Sequence, residues 1–230
     1  MGTGILKVEN KRKWSLMQRI VFAAKIKPGM ENEFRKELGN KWNSIKQFLD
    51  DNKISNFSIW KMSDLIFIYG EANDDYSISQ KNIDRINNIL SDATYTFSWL
   101  SGPGKRMKLV YYDFGIIREK KDLIRHRVFC AKLKEGCMGE YKRRHDVLIE
   151  NRKDINYGPE SNYTIWSDGN YIFGYEEIDT TMEKEMTQEQ IEYSRIWENK
   201  MLEVMEWVTD DIDWITETRK AKSICLANYK

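Results

Sequence analysis

An internal duplication limits what this chain can fold into more than any other feature. VFAAKIKPGMENEFRKEL (Val21–Leu38) aligns with VFCAKLKEGCMGEYKRRH (Val128–His145). SNFSIW (Ser55–Trp60) aligns with SNYTIW (Ser161–Trp166), and IFIYGE (Ile66–Glu71) with IFGYEE (Ile172–Glu177). The offset stays near one hundred residues through all three blocks, so whatever one copy builds, the chain builds twice. A length of 230 residues accommodates two units of ordinary domain size.

Each copy has the pattern βαββαβ. In the first, Arg19–Ile26 is rich in β-formers and ends at Pro28-Gly29. Phe34, Leu38, Trp42, Ile45 and Leu49 then fall on one stripe, which predicts an amphipathic helix over Glu31–Asp50. Ser55–Trp60 and Leu65–Glu71 read as a hairpin, Gln80–Leu90 as a helix, and Met107–Glu119 as a last strand. The second copy repeats the order. It has a strand at Arg127–Leu133, a helix at Met138–Arg152 and a strand at Tyr163–Trp166. An Asp168-Gly169 turn, a strand at Tyr171–Glu177, a helix at Thr187–Val208 and a strand at Ala221–Ala227 follow. The expected fold is α+β, with two ferredoxin-like repeats, each an antiparallel sheet with helices on one face. The uncovered faces are expected to pack together or to close into a barrel. The domain reading is a polar lead-in at 1–18, one repeat at 19–120 and a second at 121–230, with the seam in the charged stretch Lys120–Leu123.

Composition narrows the function by exclusion. A net charge of +1 provides no field for nucleic acid or a membrane surface. No window is long and apolar enough to span a bilayer, and the first residues hold no signal peptide. Cys130, Cys137 and Cys225 show no metal-ligand spacing, and an odd count fits a reducing cytosol, so a cytoplasmic location is expected. Walker A, GxGxxG, HExxH and GxSxG motifs are absent. Neither a metal nor another cofactor is expected, which leaves acid–base work on a small ligand.

The two copies differ in polarity at three aligned positions: Phe34 against Tyr141, Leu38 against His145, and Phe57 against Tyr163. Tyr141 and His145 are four residues apart and share a helix face. Their counterparts lie on an apolar stripe, so both side chains are predicted to point inward. Burying an imidazole and a phenol costs roughly a few kcal/mol unless each finds a partner. Tyr163, on a neighbouring strand, is one such partner. Two readings stand: a polar small-molecule pocket, or polar residues satisfied within a core. His126, between Arg125 and Arg127, reads as a surface residue. Arg143 and Arg144 precede His145 and, at about 100° per residue, point elsewhere. Asp146, Glu150, Glu176 and Glu177 are either exposed charges or acid–base partners. Trp60, Trp166, Trp197, Trp207 and Trp214 are core residues or, in part, a stacking wall for a sugar ring.

Glu140-Tyr141-Lys142-Arg143-Arg144-His145 resembles the Glu-Tyr-x-Arg-Arg-His of the L-rhamnose mutarotase family. Asn162-Tyr163-x-Ile165 and IFGYEEI (Ile172–Ile178) support the resemblance, which covers Arg127–Val208. It implies a dimeric α+β barrel that interconverts sugar anomers without a cofactor. It further implies that His145 is the catalytic acid/base, that Tyr141 and Tyr163 supply sugar-binding hydroxyls, and that Trp197 is the first of two adjacent pocket aromatics. The chain departs from the family after the histidine. Asp146-Val147-Leu148-Ile149-Glu150 replaces Asn-Pro-x-Trp-Pro-Glu, and Glu198 occupies the place of the second aromatic. Copy one, with Phe34, Leu38 and Phe57, resembles a silent partner, so the fusion would form an intramolecular pseudo-dimer. The implied activity is mutarotation of a free aldose such as L-rhamnose or another 6-deoxyhexose. The alternatives are another enzyme on the same barrel, a cofactor-independent or haem-type monooxygenase, or a non-catalytic small-molecule-binding module.

Overall fold

A computed structural model describes residues 17–73, 79–118, 120–150, 158–208 and 223–229. Copy one supplies β1 (Gln18–Ile26), α1 (Glu31–Asp51), β2 (Ser55–Met62), β3 (Leu65–Ala72), α2 (Gln80–Leu90), β4 (Phe97–Trp99) and β5 (Lys108–Asp113). Copy two supplies β6 (Ile124–Leu133), α3 (Met138–Glu150), β7 (Glu160–Asp168), β8 (Tyr171–Asp179), α4 (Gln188–Leu202), β9 (Met205–Trp207) and β10 (Ile224–Tyr229). The fold is mixed α+β, with two antiparallel five-stranded sheets and four α-helices among the described residues. Most of the lead-in at 1–18 lies outside those residues.

One sheet runs β10-β2-β3-β1-β4 and the other β5-β7-β8-β6-β9. In each, the four strands β2-β3-β1-β4 or β7-β8-β6-β9 follow the ferredoxin-like order. The fourth strand of each repeat is the short β4 or β9, not the longer segment that reads as a strand after it. Met205–Trp207 is part of a strand, although its sequence continues the helical pattern of α4. Three residues are too few for periodicity to declare a strand, and pairing with Ala131–Leu133 decides it. The longer segments, β5 and β10, add at the β7 and β2 edges of the sheets built by the other copy. Accordingly the compact units are Met1–Arg106 with Cys225–Lys230, here unit 1, and Met107–Ile224, here unit 2. The charged stretch Lys120–Leu123 lies inside unit 2, where Lys121–Leu123 forms a short 3₁₀ turn.

The repeats agree in detail. Asn56 and Asn162 both adopt left-handed backbone, φ 48° and 51°, at the bulge that shifts register in β2 and in β7. Asparagine accepts that conformation at little cost, and a bulge lets a strand re-aim its side chains. The next residue is Phe57 in one copy and Tyr163 in the other. The Tyr69 hydroxyl donates to Glu71 at 2.8 Å, and the Tyr175 hydroxyl to Glu177 at 3.1 Å.

Both sheets carry apolar residues toward their helices. In unit 1, Ala24, Ile59 and Ile66 meet Phe34 of α1. In unit 2, Phe129, Ala131, Ile165 and Ile172 meet Tyr141 of α3 and Met201 of α4. The opposite faces are buried as well, through Val21, Phe67 and Tyr69 in one sheet and Cys130, Phe173 and Tyr175 in the other.

Helix α4 begins with a capping box. The Thr187 hydroxyl accepts from the Gln190 amide N–H at 3.2 Å, and the Gln190 side chain accepts from the Thr187 N–H at 2.8 Å. Thr187→Ala removes one of these bonds and is expected to cost about 1 kcal/mol. Urea unfolding of the variant checks this, and a change within error would show that the cap contributes nothing.

Candidate functional site

Helix α3 places Tyr141 and His145 one turn apart, on the side that packs against the unit 2 sheet. Tyr141 is 1% exposed and His145 is 3% exposed. The ring centroids of Tyr141 and His145 lie 4.5 Å apart. Trp197 of α4 meets His145 edge-on at 5.4 Å and 89°. Tyr111 of β5 approaches it at 5.1 Å, and Tyr111 in turn contacts Tyr163 at 5.6 Å. The four residues singled out from the sequence, Tyr141, His145, Tyr163 and Trp197, therefore line one small cavity, which Phe129, Glu198 and Trp207 also wall.

The imidazole is anchored at one nitrogen. Nδ1 of His145 lies 3.0 Å from the carbonyl oxygen of Tyr141. A carbonyl only accepts, so Nδ1 carries the proton, and the neutral ring keeps its lone pair on Nε2. Burial pulls the His145 pKa down to about 4, against the opposing pull of the Tyr141 carbonyl and of Asp146. The ring is thus neutral at physiological pH. Burial raises the phenols of Tyr141 and Tyr163 far above their ordinary value, so both remain hydroxyl donors.

Arg143 and Arg144 do not enter the cavity. Arg143 Nε pairs with Glu140 at 2.7 Å. Arg144 spans Glu140 at 2.7 Å, Glu203 at 2.8 Å and the Lys200 carbonyl, which ties α3 to the end of α4. Asp146 pairs with Lys142. Glu177 faces the other side of the sheet, fully buried, held by Lys121 at 2.7 Å, Asn162 at 3.1 Å and Tyr175 at 3.1 Å. A buried carboxylate with that many partners is structural in kind. His126, read as a surface residue, is half-buried against Tyr175 at 5.4 Å.

Glu176 is different. Its register partner is Arg127, with Nε and Oε2 3.0 Å apart, and it borders Tyr163. Burial lifts its pKa to about 7 despite the arginine, with Glu160 and Asp113 adding to the rise. The two buried groups therefore bias stability in opposite directions. His145 has a folded pKa near 4 against 6.5 unfolded, so its contribution improves as pH rises through that window. Glu176 has a folded pKa near 7 against 4.5, so its contribution worsens as pH rises from 4.5 to 7. Glu176→Gln is expected to steepen the gain in urea midpoint between pH 4.5 and 6.5. A profile parallel to that of the parent would show that Glu176 is not displaced.

One residue beside the cavity has no signal in the sequence. Tyr111 lies on β5 at the end of copy one and comes beside His145 only because β5 joins the unit 2 sheet, where Tyr111 pairs with Ile165. Trp207, which the sequence leaves as either a core residue or part of a stacking wall, is placed in the wall by β9 rather than by a helix. There its indole N–H donates to Glu198 at 2.9 Å. Glu198 is thus the acceptor that holds Trp207 in place.

The family model for L-rhamnose mutarotase matches residues 19–90 and 126–223, the two repeats in turn. The chain belongs to the L-rhamnose mutarotase family. The match falls on both copies, and the polar residues Tyr141, His145 and Tyr163 stand in the second. No curated protein matches the chain at a significant level. Among solved structures, a candidate monooxygenase from Fusobacterium nucleatum subsp. nucleatum is similar at 9% identity and a TM-score of 0.45, covering 93% of this chain and 94% of that one. An anthrone oxidase-like protein is similar at 8% identity and a TM-score of 0.40, covering 83% and 91%. Both are distant likenesses, and the family assignment rests on the sequence match. Among the described residues no helix is long and apolar enough to cross a membrane.

Proposed function

We propose that the protein is a sugar mutarotase and that unit 2 carries the reaction. The observation that supports this reading best is the state of His145. It is buried, held neutral and anchored through Nδ1, with aromatic rings and two phenols around it. In the proposed reaction, Nε2 takes the proton of the anomeric hydroxyl while a phenol of Tyr141 or Tyr163 donates to the ring oxygen. The ring opens to the free aldehyde, the C1–C2 bond rotates, and the chain closes on the other face as the protons return. A general acid and a general base are all that this chemistry asks for. Trp197 presents an indole face suited to the C–H side of a pyranose.

The cavity around His145 measures about 30 Å³, the space of roughly one water molecule. A hexose therefore enters only when the wall opens. Trp197 and Trp207 are partly exposed, whereas Tyr141 is fully buried, so the tryptophans stand on the solvent side of the cavity. The substrate class is a free aldose, with L-rhamnose and other 6-deoxyhexoses first. Unit 1, with Phe34, Leu38 and Phe57 at the aligned positions, has no proton donor there and is silent in this reaction.

Exchange NMR across a panel of free aldoses is the test. Saturation transfer between anomer signals, faster with protein than without, is the expected result for at least one 6-deoxyhexose. No acceleration of any sugar in the panel would end the proposal.

A further inference from the structure

Unit 1 contains a cavity of about 110 Å³ between α1, α2 and the sheet face formed by β1, β2 and β3. It occupies the place in copy one that the His145 cavity occupies in copy two. Phe34, Leu38 and Phe57, the counterparts of Tyr141, His145 and Tyr163, all stand in its wall. Nine isoleucines line it as well, and Asn82 is the one amide side chain among the lining residues.

An ordered water needs two to four polar partners, and this wall does not offer them, so the cavity stays dry. An apolar void also forgoes dispersion contacts on every atom that faces it, and an apolar guest restores them. An engineered cavity of roughly 150 Å³ with a comparable aliphatic and aromatic lining takes up benzene. The present one is somewhat smaller, but one wall can yield. Helix α2 has no fully buried residue, although Ile83, Ile86 and Ile89 all face the space.

We propose that unit 1 binds a small hydrocarbon group, a monocyclic ring or a short alkyl chain of about six carbons. The polarity difference between the copies is then a difference of ligand. The module that holds a sugar among hydroxyls in unit 2 holds an apolar group among isoleucines in unit 1. The proposal does not rest on the sugar reading, because no step of it uses His145.

The test is isoleucine-methyl NMR on the full chain, titrated separately with benzene, 1-hexanol and L-rhamnose. The expected result is saturable shifts in the methyls of Ile59, Ile66, Ile68 and Ile86 with benzene or hexanol, with Ile165 and Ile172 unmoved. Benzene alone assigns a ring, and hexanol alone assigns a chain. Rhamnose leaves the unit 1 methyls in place. Ala24→Leu, which extends a small side chain of the wall into the space, should weaken binding tenfold or more. Ile68→Phe is a second filling variant should the first fail to fold. Non-saturating shifts, shifts shared equally with Ile165 and Ile172, or undiminished binding in a folded filling variant would each overturn the proposal.

Discussion

His145→Ala is expected to abolish the proposed anomer exchange and to leave the fold intact. A positioned acid/base group contributes typically 10²–10⁴-fold, so the variant is expected to fall by about that factor. That places its rate close to the unaided reaction. The side chain is buried, and its removal leaves a void beside Tyr141 and Trp197. His145→Gln therefore serves as the companion variant, because it keeps most of the volume and has no basic nitrogen. Both variants should show unchanged circular dichroism and no exchange above background. A rate equal to that of the parent in a folded variant would remove His145 from the mechanism.

Gly174→Ala is the substitution with the largest expected effect on stability. Gly174 sits in the central strand β8, opposite Phe129 of β6. A Cβ added there would meet Phe129 Cε1 at 1.9 Å and its Cζ at 2.4 Å. Ordinary contact between carbons needs about 3.5 Å or more, so the ring has to move well over an ångström. Phe129 has little room to do so, since it is 4% exposed and packs edge-on against Trp207 at 5.7 Å. Overpacking of a filled core costs typically about 1–3 kcal/mol, and the closeness of this contact puts the expectation at the upper end. Phe129→Leu, which trims the ring, should recover part of the loss in the double variant. Urea unfolding of the three proteins measures it, and a loss below about 0.5 kcal/mol for Gly174→Ala alone would show that the ring relocates freely. The effect reaches the site too, because Phe129 walls the cavity at His145. In copy one the matching position is Ile68, opposite Phe22. Phe22 makes the same edge contact there, with Trp99 at 6.0 Å.

Much of the site can be read from residue types and spacing. A four-residue interval puts Tyr141 and His145 on one helical face whatever surrounds the helix, and the apolar stripe of the sister copy identifies that face as the inner one. The bulge before Phe57 and Tyr163 has a local cause as well, an asparagine able to take positive φ in each copy. Helix α4 announces its start through Thr187 and Gln190. Each of these follows from contacts within a few residues along the chain.

Other features depend on distant partners. Glu176 and Glu177 are neighbours in sequence with the same side chain. Strand alternation sends Glu177 to one face, where Lys121 and Asn162 neutralise it, and Glu176 to the other, where burial lifts its pKa to about 7. Trp207 becomes a cavity wall only because three residues of β9 pair with β6.

Duplication, the βαββαβ order, the inward face of α3 and the polar character of copy two are all settled by local periodicity and by comparing one copy with the other. The destination of β5 and β10 is not. A strand that ends a ferredoxin-like repeat has the same alternation whether it pairs with its own sheet or another, since backbone hydrogen bonds at an open edge are blind to which copy supplies them. Tertiary pairing took β5 to β7, and with it brought Tyr111 to within 5.1 Å of His145.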